Sequence, residues 1–225
     1  MISGRMTWLR RTFGSSLGRK YLMAATGLLL VGFLVVHLGG NLLIYSGPQA
    51  QAFDEYAAKL DGNPLLPVAE IALALLFVVH IALALRVTLE NREARSQGYA
   101  VRAGLGQKTL ASASMILTGL LVLVFLVVHL FDFRVGKLLH EPGTSLASLV
   151  RRRLATPVGA GIYLLGVLAL GVHLRHAFRS AFQSLGVSHP HLNPILERAG
   201  WAVAILLAAG FASFPLYFLM TGGAS

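Results

Sequence analysis

Four histidines lie inside runs of apolar residues, where a side chain that can ligate a metal or carry a proton is least expected. His37 and His129 end two copies of the phrase FLVVH, His80 ends the related phrase FVVH, and His173 lies in a fourth apolar run. Ionisable residues in such runs are rare and usually functional. One of them alone could be a helix-to-helix hydrogen bond, but one in each of four runs favours a shared role as ligands.

The apolar runs that position these histidines are long enough to cross a membrane. The chain is 56% hydrophobic and 12% charged, whereas soluble domains carry roughly 25% charged residues. A spanning helix needs about 20 apolar residues, and backbone groups inside lipid must bond within their own segment. We therefore predict an all-α integral membrane bundle of five transmembrane helices in a single domain over residues 1–225. The predicted helices cover approximately residues 21–45, 65–86, 109–133, 155–183 and 200–220.

Charge and cysteine content narrow the function classes. The absence of cysteine excludes disulfides, cysteine-held iron–sulfur clusters and thioether-linked haem. The net charge of +10 is better explained by basic residues facing anionic lipid than by nucleic acid. Most basic residues lie on the side that carries the N-terminus, which predicts a cytoplasmic N-terminus, although the run Arg151–Arg153 lies on the other side. The end of the bundle that carries the N-terminus is called the inner end, and the opposite end the outer end.

Helical rise sorts the four histidines into two pairs. At about 1.5 Å per residue, His37 and His129 lie roughly 7–12 Å from the outer end. The second and fourth runs cross in the opposite direction, so His80 and His173 lie roughly 20–25 Å below that end. We call His37 and His129 the outer pair, and His80 and His173 the inner pair.

Two imidazoles from facing helices are the ligands of a six-coordinate haem iron. Both axial positions would be filled, so such a haem carries electrons and does not activate oxygen. Zinc would require three or four ligands at one depth, which neither pair supplies. Two depths therefore predict two haems that pass electrons along the membrane normal.

A second spacing lies on the same two helices. Thr26-Gly27 precedes His37, and Thr118-Gly119 precedes His129, with eleven residues from threonine to histidine in both cases. Eleven residues are almost three turns, or about 16 Å, so both threonines lie at the depth of the inner pair. We expect these small residues either to make room for a flat ligand or to allow close helix packing.

Cations follow the inner histidine of the fourth run. Arg175, His176 and Arg179 lie one to two turns beyond His173. His176 could itself be the ligand, but His173 is preferred because it lies within the apolar run. The three residues are expected to contact haem propionates or lipid headgroups.

Taken together, these motifs resemble a known family. The chain carries GRKYLMAATGLLLVGFLVVHLGGNLLIYSG, QAFDEYA, FVVHIALALR, ILTGLLVLVFLVVHLFDFR and GVHLRHAFRSAFQSLG, and it resembles the cytochrome b558 subunit of succinate dehydrogenase/fumarate reductase over nearly its whole length. The resemblance implies a single-polypeptide membrane anchor with two haem b groups. His37 and His129 would ligate the outer (distal) haem, and His80 and His173 the inner (proximal) haem.

The family also implies partners and a substrate. The expected partners are a flavoprotein subunit carrying FAD and a subunit carrying iron–sulfur clusters, on the cytoplasmic side of a bacterial inner membrane. Quinone, expected to be menaquinone, is the substrate, and a higher oligomer of the complex is compatible with this role. Asp54 is the closest match to the family's acidic residue near the outer quinone site, with Glu55 beside it, although both could be solvated loop acids. Gly171 stands where fumarate-reducing members can carry a glutamate, which disfavours that direction.

We therefore expect the quinone-interacting subunit of a respiratory succinate dehydrogenase of the tricarboxylic acid cycle, with no activity of its own on succinate. A dihaem anchor of a fumarate reductase or of another quinone-linked dehydrogenase is the nearest alternative. A haem-free transporter with proton-relaying histidines is an alternative of another class, for which Pro215 could interrupt the fifth helix. A haem-free structural anchor is the third.

Overall fold

The computed structural model describes residues 14–47, 49–96, 110–139 and 144–222. All regular structure within these ranges is helical. The basic residues at 1–13 and 97–109, which contribute to the predicted orientation, lie outside them. In chain order the α-helices are α1 (Ser16–Leu42), α2 (Gln51–Asp61), α3 (Leu66–Ser96), α4 (Leu110–His129), α5 (Gly136–Leu139), α6 (Leu146–Leu154), α7 (Pro157–Ser184) and α8 (Asn193–Met220).

Five of these helices, α1, α3, α4, α7 and α8, are long and apolar enough to cross a membrane. The prediction of an all-helical chain with five such helices is confirmed. The predicted ends differ most at α3, which continues about three turns beyond residue 86, and at α8, which begins seven residues before residue 200. Both extensions carry polar residues, so an apolar pattern does not detect them, although Pro194 suits the first turn of a helix.

Local sequence signals explain where several helices begin. Ser15 accepts a hydrogen bond from the Gly18 amide at the start of α1, and Thr156 accepts one from the Gly159 amide at the start of α7. Such caps satisfy amides that have no partner inside the helix. Helix α8 continues through Pro215, so the expected interruption is not present. Neighbouring groups in a membrane bundle commonly allow proline within a helix, and Pro215 is fully buried.

Four of the long helices form a bundle whose order around the axis is α3, α1, α7 and α4. Helix α1 packs against α3 and α7, and α7 packs against α4. Helix α8 lies outside this square, mainly against α7. Within the described chain, α1 and α4 do not pack closely along their backbones, and neither do α3 and α7. Helices α3 and α4 approach each other at the outer end, where Arg134 in the turn after α4 pairs with Glu70 of α3 at 2.8 Å. This contact closes the fourth side, so α1 with α4 and α3 with α7 are the diagonals of the bundle.

The outer end is closed by short helices. The predicted surface helix in the first connection is α2, and α6 fills much of the long connection before α7. Asp54 on α2 accepts hydrogen bonds from the Ala147 amide, at 3.0 Å, and from the Ser145 hydroxyl at the start of α6. Side chains from α2, α6, α7 and α8 bury a common apolar core that includes Phe53, Val150, Tyr163 and Phe214.

Candidate functional site

The outer pair meets across the diagonal between α1 and α4. The ring centroids of His37 and His129 are 5.8 Å apart, and the ring planes are nearly perpendicular, at 89°. With imidazole–metal bonds of about 2 Å, two imidazoles on opposite sides of one metal ion place their ring centroids about 6 Å apart. Rotation of a ring about its metal–nitrogen bond leaves that distance unchanged, so the observed separation suits two axial ligands.

Aromatic rings surround the outer pair. His37 stacks on Phe33 at 5.2 Å and lies 5.9 Å from Phe211 of α8. The His129 ring has three aromatic neighbours on α4, on the turn after it and on α7. They are Phe125 at 6.0 Å, Phe133 at 5.4 Å and Tyr163 at 6.1 Å. Both imidazoles thus pack against aromatic rings from five segments.

A polar cluster lies directly beside the outer pair, and sequence reasoning missed it. A π-helical turn, Leu130–Val135, follows His129, and turns of this kind are frequent at functional sites. Within it, the Asp132 carboxylate accepts hydrogen bonds from Arg153 Nε at 2.7 Å and from the Tyr163 hydroxyl at 3.0 Å. The sequence offered one signal for this cluster, a carboxylate at Asp132 three residues after His129. Its partner, Arg153, is one of three consecutive arginines, and that run was considered only in predicting the orientation.

The inner pair lies on the other diagonal, between α3 and α7. Each inner imidazole contacts the first helix of its own hairpin. Thr26 Oγ1 lies 3.1 Å from His80 Nδ1, and Thr118 Oγ1 lies 3.4 Å from His173 Nδ1. His80 therefore lies at the level of Thr26, eleven residues before His37. His173 likewise lies at the level of Thr118, eleven residues before His129. The two pairs are separated by about 16 Å along the bundle.

The small residues at this level contact imidazole rings. A Cβ atom added at Gly27 would lie 3.2 Å from His80 Cε1, and one added at Gly119 would lie 3.5 Å from His173 Cε1. The two glycines thus let the histidine rings approach the neighbouring helix closely. Of the two roles expected for Thr-Gly, the structure shows close helix-to-helix packing, through an imidazole.

An internal repeat explains why these contacts occur twice. Residues 23–38 on α1 and 115–130 on α4 share Met, Thr-Gly-Leu-Leu and Phe-Leu-Val-Val-His-Leu at equal spacing, and His80 and His173 occupy matching places on the next long helices. Helices α1 and α3 form one hairpin, and α4 and α7 form the second. In each hairpin the first helix supplies an outer histidine and the threonine that contacts the inner histidine. This repeat is visible in the sequence and indicates that the two threonines have equivalent roles, although it does not say which helix each one contacts.

The predicted cations beyond His173 lie against α8. Arg175 stacks over the Trp201 ring at 3.9 Å, and Arg179 Nη1 lies 3.3 Å from Glu197 Oε2. Together with His176 these side chains line a surface depression. The Arg179 Nε atom is buried and has no hydrogen-bond partner among the described residues. That N–H group could donate a hydrogen bond to an anionic group, as a contact with propionate or lipid phosphate requires.

The two acidic residues proposed near quinone have other contacts. Asp54 holds the start of α6, as described above. Glu55 Oε1 accepts a hydrogen bond from the Gln51 side chain one turn earlier, at 3.2 Å, in an exposed position. Asp54 therefore has a structural role in joining α2 to α6, and its place near quinone stays a prediction.

Comparison of the chain with family models, with curated proteins and with solved structures finds no match. The family resemblance thus stays a prediction that rests on the motifs quoted above. Among the described residues, no cluster of three or more histidine, aspartate or glutamate side chains could hold a metal ion. The described chain instead carries its four membrane-level histidines as two pairs at two levels of the bundle.

Proposed function

We propose that this chain is the membrane-anchor cytochrome b subunit of a succinate:quinone oxidoreductase in a bacterial cytoplasmic membrane. The observation that carries the proposal is the placement of four histidines as two pairs, each across a diagonal of the bundle and at different depths. A structural anchor has no need of this arrangement. In this proposal His37 and His129 hold the outer haem b, and His80 and His173 hold the inner one.

The residues around each pair fit a flat apolar ligand with an iron at its centre. The outer histidines lie among phenylalanine rings, and burial of this kind tunes a haem potential. A bound haem of this type supplies reversible one-electron transfer. The chain's own part is to supply both axial ligands, which leaves no coordination site for oxygen, and to keep the two pairs about 16 Å apart along the helices.

Charges at the two ends suit the proposed partners. The inner end carries Arg19, which pairs with Glu90 at 2.8 Å, and the group Arg175, His176 and Arg179. Flavoprotein and iron–sulfur subunits would bind on this side and deliver electrons from succinate. Quinone would then be reduced near the outer pair, with Asp54 and Glu55 as the proposed acidic residues.

Gly171 supports succinate oxidation as the working direction. A Cβ atom added at Gly171 would lie 3.0 Å from the Cβ of Ala208 on α8. A longer acidic side chain at this position would therefore require α7 and α8 to move apart. We infer that the chain lacks the proton route that fumarate-reducing members of the family can build from a glutamate two residues before the inner ligand.

An absorption spectrum of the purified complex tests the proposal. We expect reduced-minus-oxidised bands of a b-type cytochrome and two haems per chain by extraction, together with a co-purifying flavoprotein that oxidises succinate. A colourless protein would overturn the proposal and leave the transporter and structural-anchor alternatives, which a transport assay would separate. A dihaem protein that co-purifies with another dehydrogenase would retain the haem assignment and reject the succinate assignment.

The quinone assignment has its own test. We expect Glu55→Gln or Asp54→Asn to slow quinone reduction while both haems are retained. Gln51→Ala is the matched control, because it removes only the hydrogen-bond partner of Glu55. Unchanged quinone kinetics in both acidic variants would reject these residues.

A further inference from the structure

Apart from Tyr163, Thr26 and Thr118 are the only buried side chains with a polar group among the described residues, at 8% and 7% exposure. A buried hydroxyl in a membrane helix commonly satisfies itself by bonding to the carbonyl four residues earlier. Both threonines make that bond, to Leu22 O and Ser114 O, each at 2.8 Å. The bond alone would be sufficient for packing. Each hydroxyl nevertheless also lies against the Nδ1 atom of an inner histidine.

The number of hydrogens on the threonine hydroxyl decides which group donates in its contact with the imidazole. A threonine hydroxyl has one hydrogen and two lone pairs. If that hydrogen is donated to the helix carbonyl at 2.8 Å, the oxygen can only accept from the imidazole. A second helix carbonyl also lies within reach of each hydroxyl, Met23 O at 3.0 Å from Thr26 Oγ1 and Met115 O at 3.3 Å from Thr118 Oγ1. Both helix carbonyls can only accept, so they compete for the hydroxyl hydrogen and leave the imidazole as the donor in its contact.

We propose that Thr26 and Thr118 are positioning residues that hold His80 and His173 in the Nδ1–H tautomer, with Nε2 unprotonated and free to bind a metal. A neutral imidazole carries one hydrogen, so donation from Nδ1 leaves the lone pair on Nε2. Groups that bond to the second nitrogen of a ligating histidine fix its orientation and raise its basicity. The inference rests on the proposed function for the identity of the metal group, but the tautomer does not depend on it.

The repeat gives the inference a second, independent instance. The unit Met-x-x-Thr-Gly occurs at residues 23–27 and 115–119. In both copies the threonine hydroxyl lies within reach of the methionine carbonyl and of the imidazole Nδ1 atom, and the glycine lets the ring approach. In the part of the chain that the structure describes, no threonine makes such a contact with the outer pair, which aromatic rings surround. The combination of a threonine and a glycine against the imidazole is therefore specific to the inner pair.

Isosteric substitutions test the proposal in the intact complex. Thr26→Val and Thr118→Val keep the shape of the side chain and remove the acceptor. We expect each to weaken retention of the inner haem by roughly 10–100-fold. We also expect a higher midpoint potential for the inner component alone, because a less basic ligand stabilises oxidised iron less. Thr26→Ser and Thr118→Ser should restore both properties.

Thr221→Val is the control variant, because Thr221 makes the same bond to the carbonyl four residues earlier at the far end of α8. An equal loss of inner haem in the control variant would mean that the two threonines serve only in packing, and so would equal shifts of the inner and outer midpoint potentials. Either result would overturn the inference. An unchanged inner component in both valine variants would overturn it as well, while two haems in the wild-type spectrum would leave the proposed function intact.

A measurement on the unsubstituted chain keeps the test open if the valine variants do not fold. Solid-state nitrogen-15 spectra of the wild-type protein in lipid, prepared without haem, report which ring nitrogen carries the hydrogen. We expect Nδ1–H for His80 and His173, with signals assigned by their loss in His80→Ala and His173→Ala. Finding Nε2–H at both positions would overturn the inference, whatever the absorption spectrum shows.

Discussion

The outer and inner histidine pairs are positioned by different kinds of contact. Rings from Phe33, Phe125 and Phe133 lie within about 6 Å of the outer imidazoles. At the inner pair a hydroxyl and a glycine from the neighbouring helix contact each imidazole. Ring packing fixes position but leaves a ring free to choose its tautomer. A hydrogen bond to one nitrogen fixes the tautomer as well, so the inner pair is the more completely specified of the two.

The largest expected effect comes from removing a ligand from each pair in turn. His37→Ala should abolish the outer spectral component and His80→Ala the inner one, with haem content falling by about half in either case, because each haem needs both axial ligands. Haem extraction and redox titration of the purified complex would measure this. His189→Ala, at an exposed position before α8, is the control. Two intact components in both ligand variants would contradict the pairing.

The next effect concerns the aromatic packing that positions the outer pair. A Cβ atom added at Gly166 would lie 2.3 Å from two atoms of the Phe125 ring, close to its attachment to the backbone. The ring cannot move without displacing His129 or Tyr163, so we expect Gly166→Ala to destabilise the protein by roughly 1–3 kcal/mol. It should also broaden the outer spectral component and leave the inner one sharp.

Gly161 on the same helix supplies the comparison, since a Cβ atom there would have no neighbour within 4 Å. Gly161→Ala should be neutral or slightly stabilising, because alanine favours a helix interior. Thermal unfolding in detergent would compare the two variants. Similar melting temperatures would show that the Phe125 ring can be accommodated elsewhere.

A smaller effect should distinguish the two pairs electrostatically. Asp132 places a carboxylate three residues from His129, paired with Arg153, whereas the inner pair has cations nearby. Asp132→Asn keeps an acceptor for Tyr163 and removes a negative charge that favours oxidised iron. The outer potential should therefore rise by on the order of tens of millivolts, with the inner potential nearly unchanged. Asp61→Asn, which removes the partner of Lys137 at the surface, should shift neither component.

The sequence predicts the membrane helices and the level of each histidine because both follow from long apolar runs and constant helical rise. The contacts of Thr26 with His80 depend on which helices are neighbours, and a single apolar pattern does not contain that information. The Asp132–Arg153 pair is harder still, because a π-helical turn changes the direction of Asp132 after His129. The role of Asp54 in capping α6 needs two connections to meet, and neither connection predicts the other.

The smallest expected effect separates the two halves of the inner pair. A Cβ atom at Gly27 would approach His80 Cε1 to 3.2 Å, which requires the ring to move by a few tenths of an ångström, whereas 3.5 Å at Gly119 is an ordinary contact. Alanine in place of glycine stabilises a helix interior by roughly 0.5–1 kcal/mol. We therefore expect Gly119→Ala to raise the melting temperature as much as Gly32→Ala, whose Cβ would meet nothing within 4 Å. Gly27→Ala should gain less and should shift the inner potential, because the imidazole cannot move away from Gly27 without lengthening its hydrogen bond to Thr26. Equal increases in melting temperature from all three substitutions would mean that the His80 ring tolerates displacement. In that case only His173 would be held more strictly than the outer histidines.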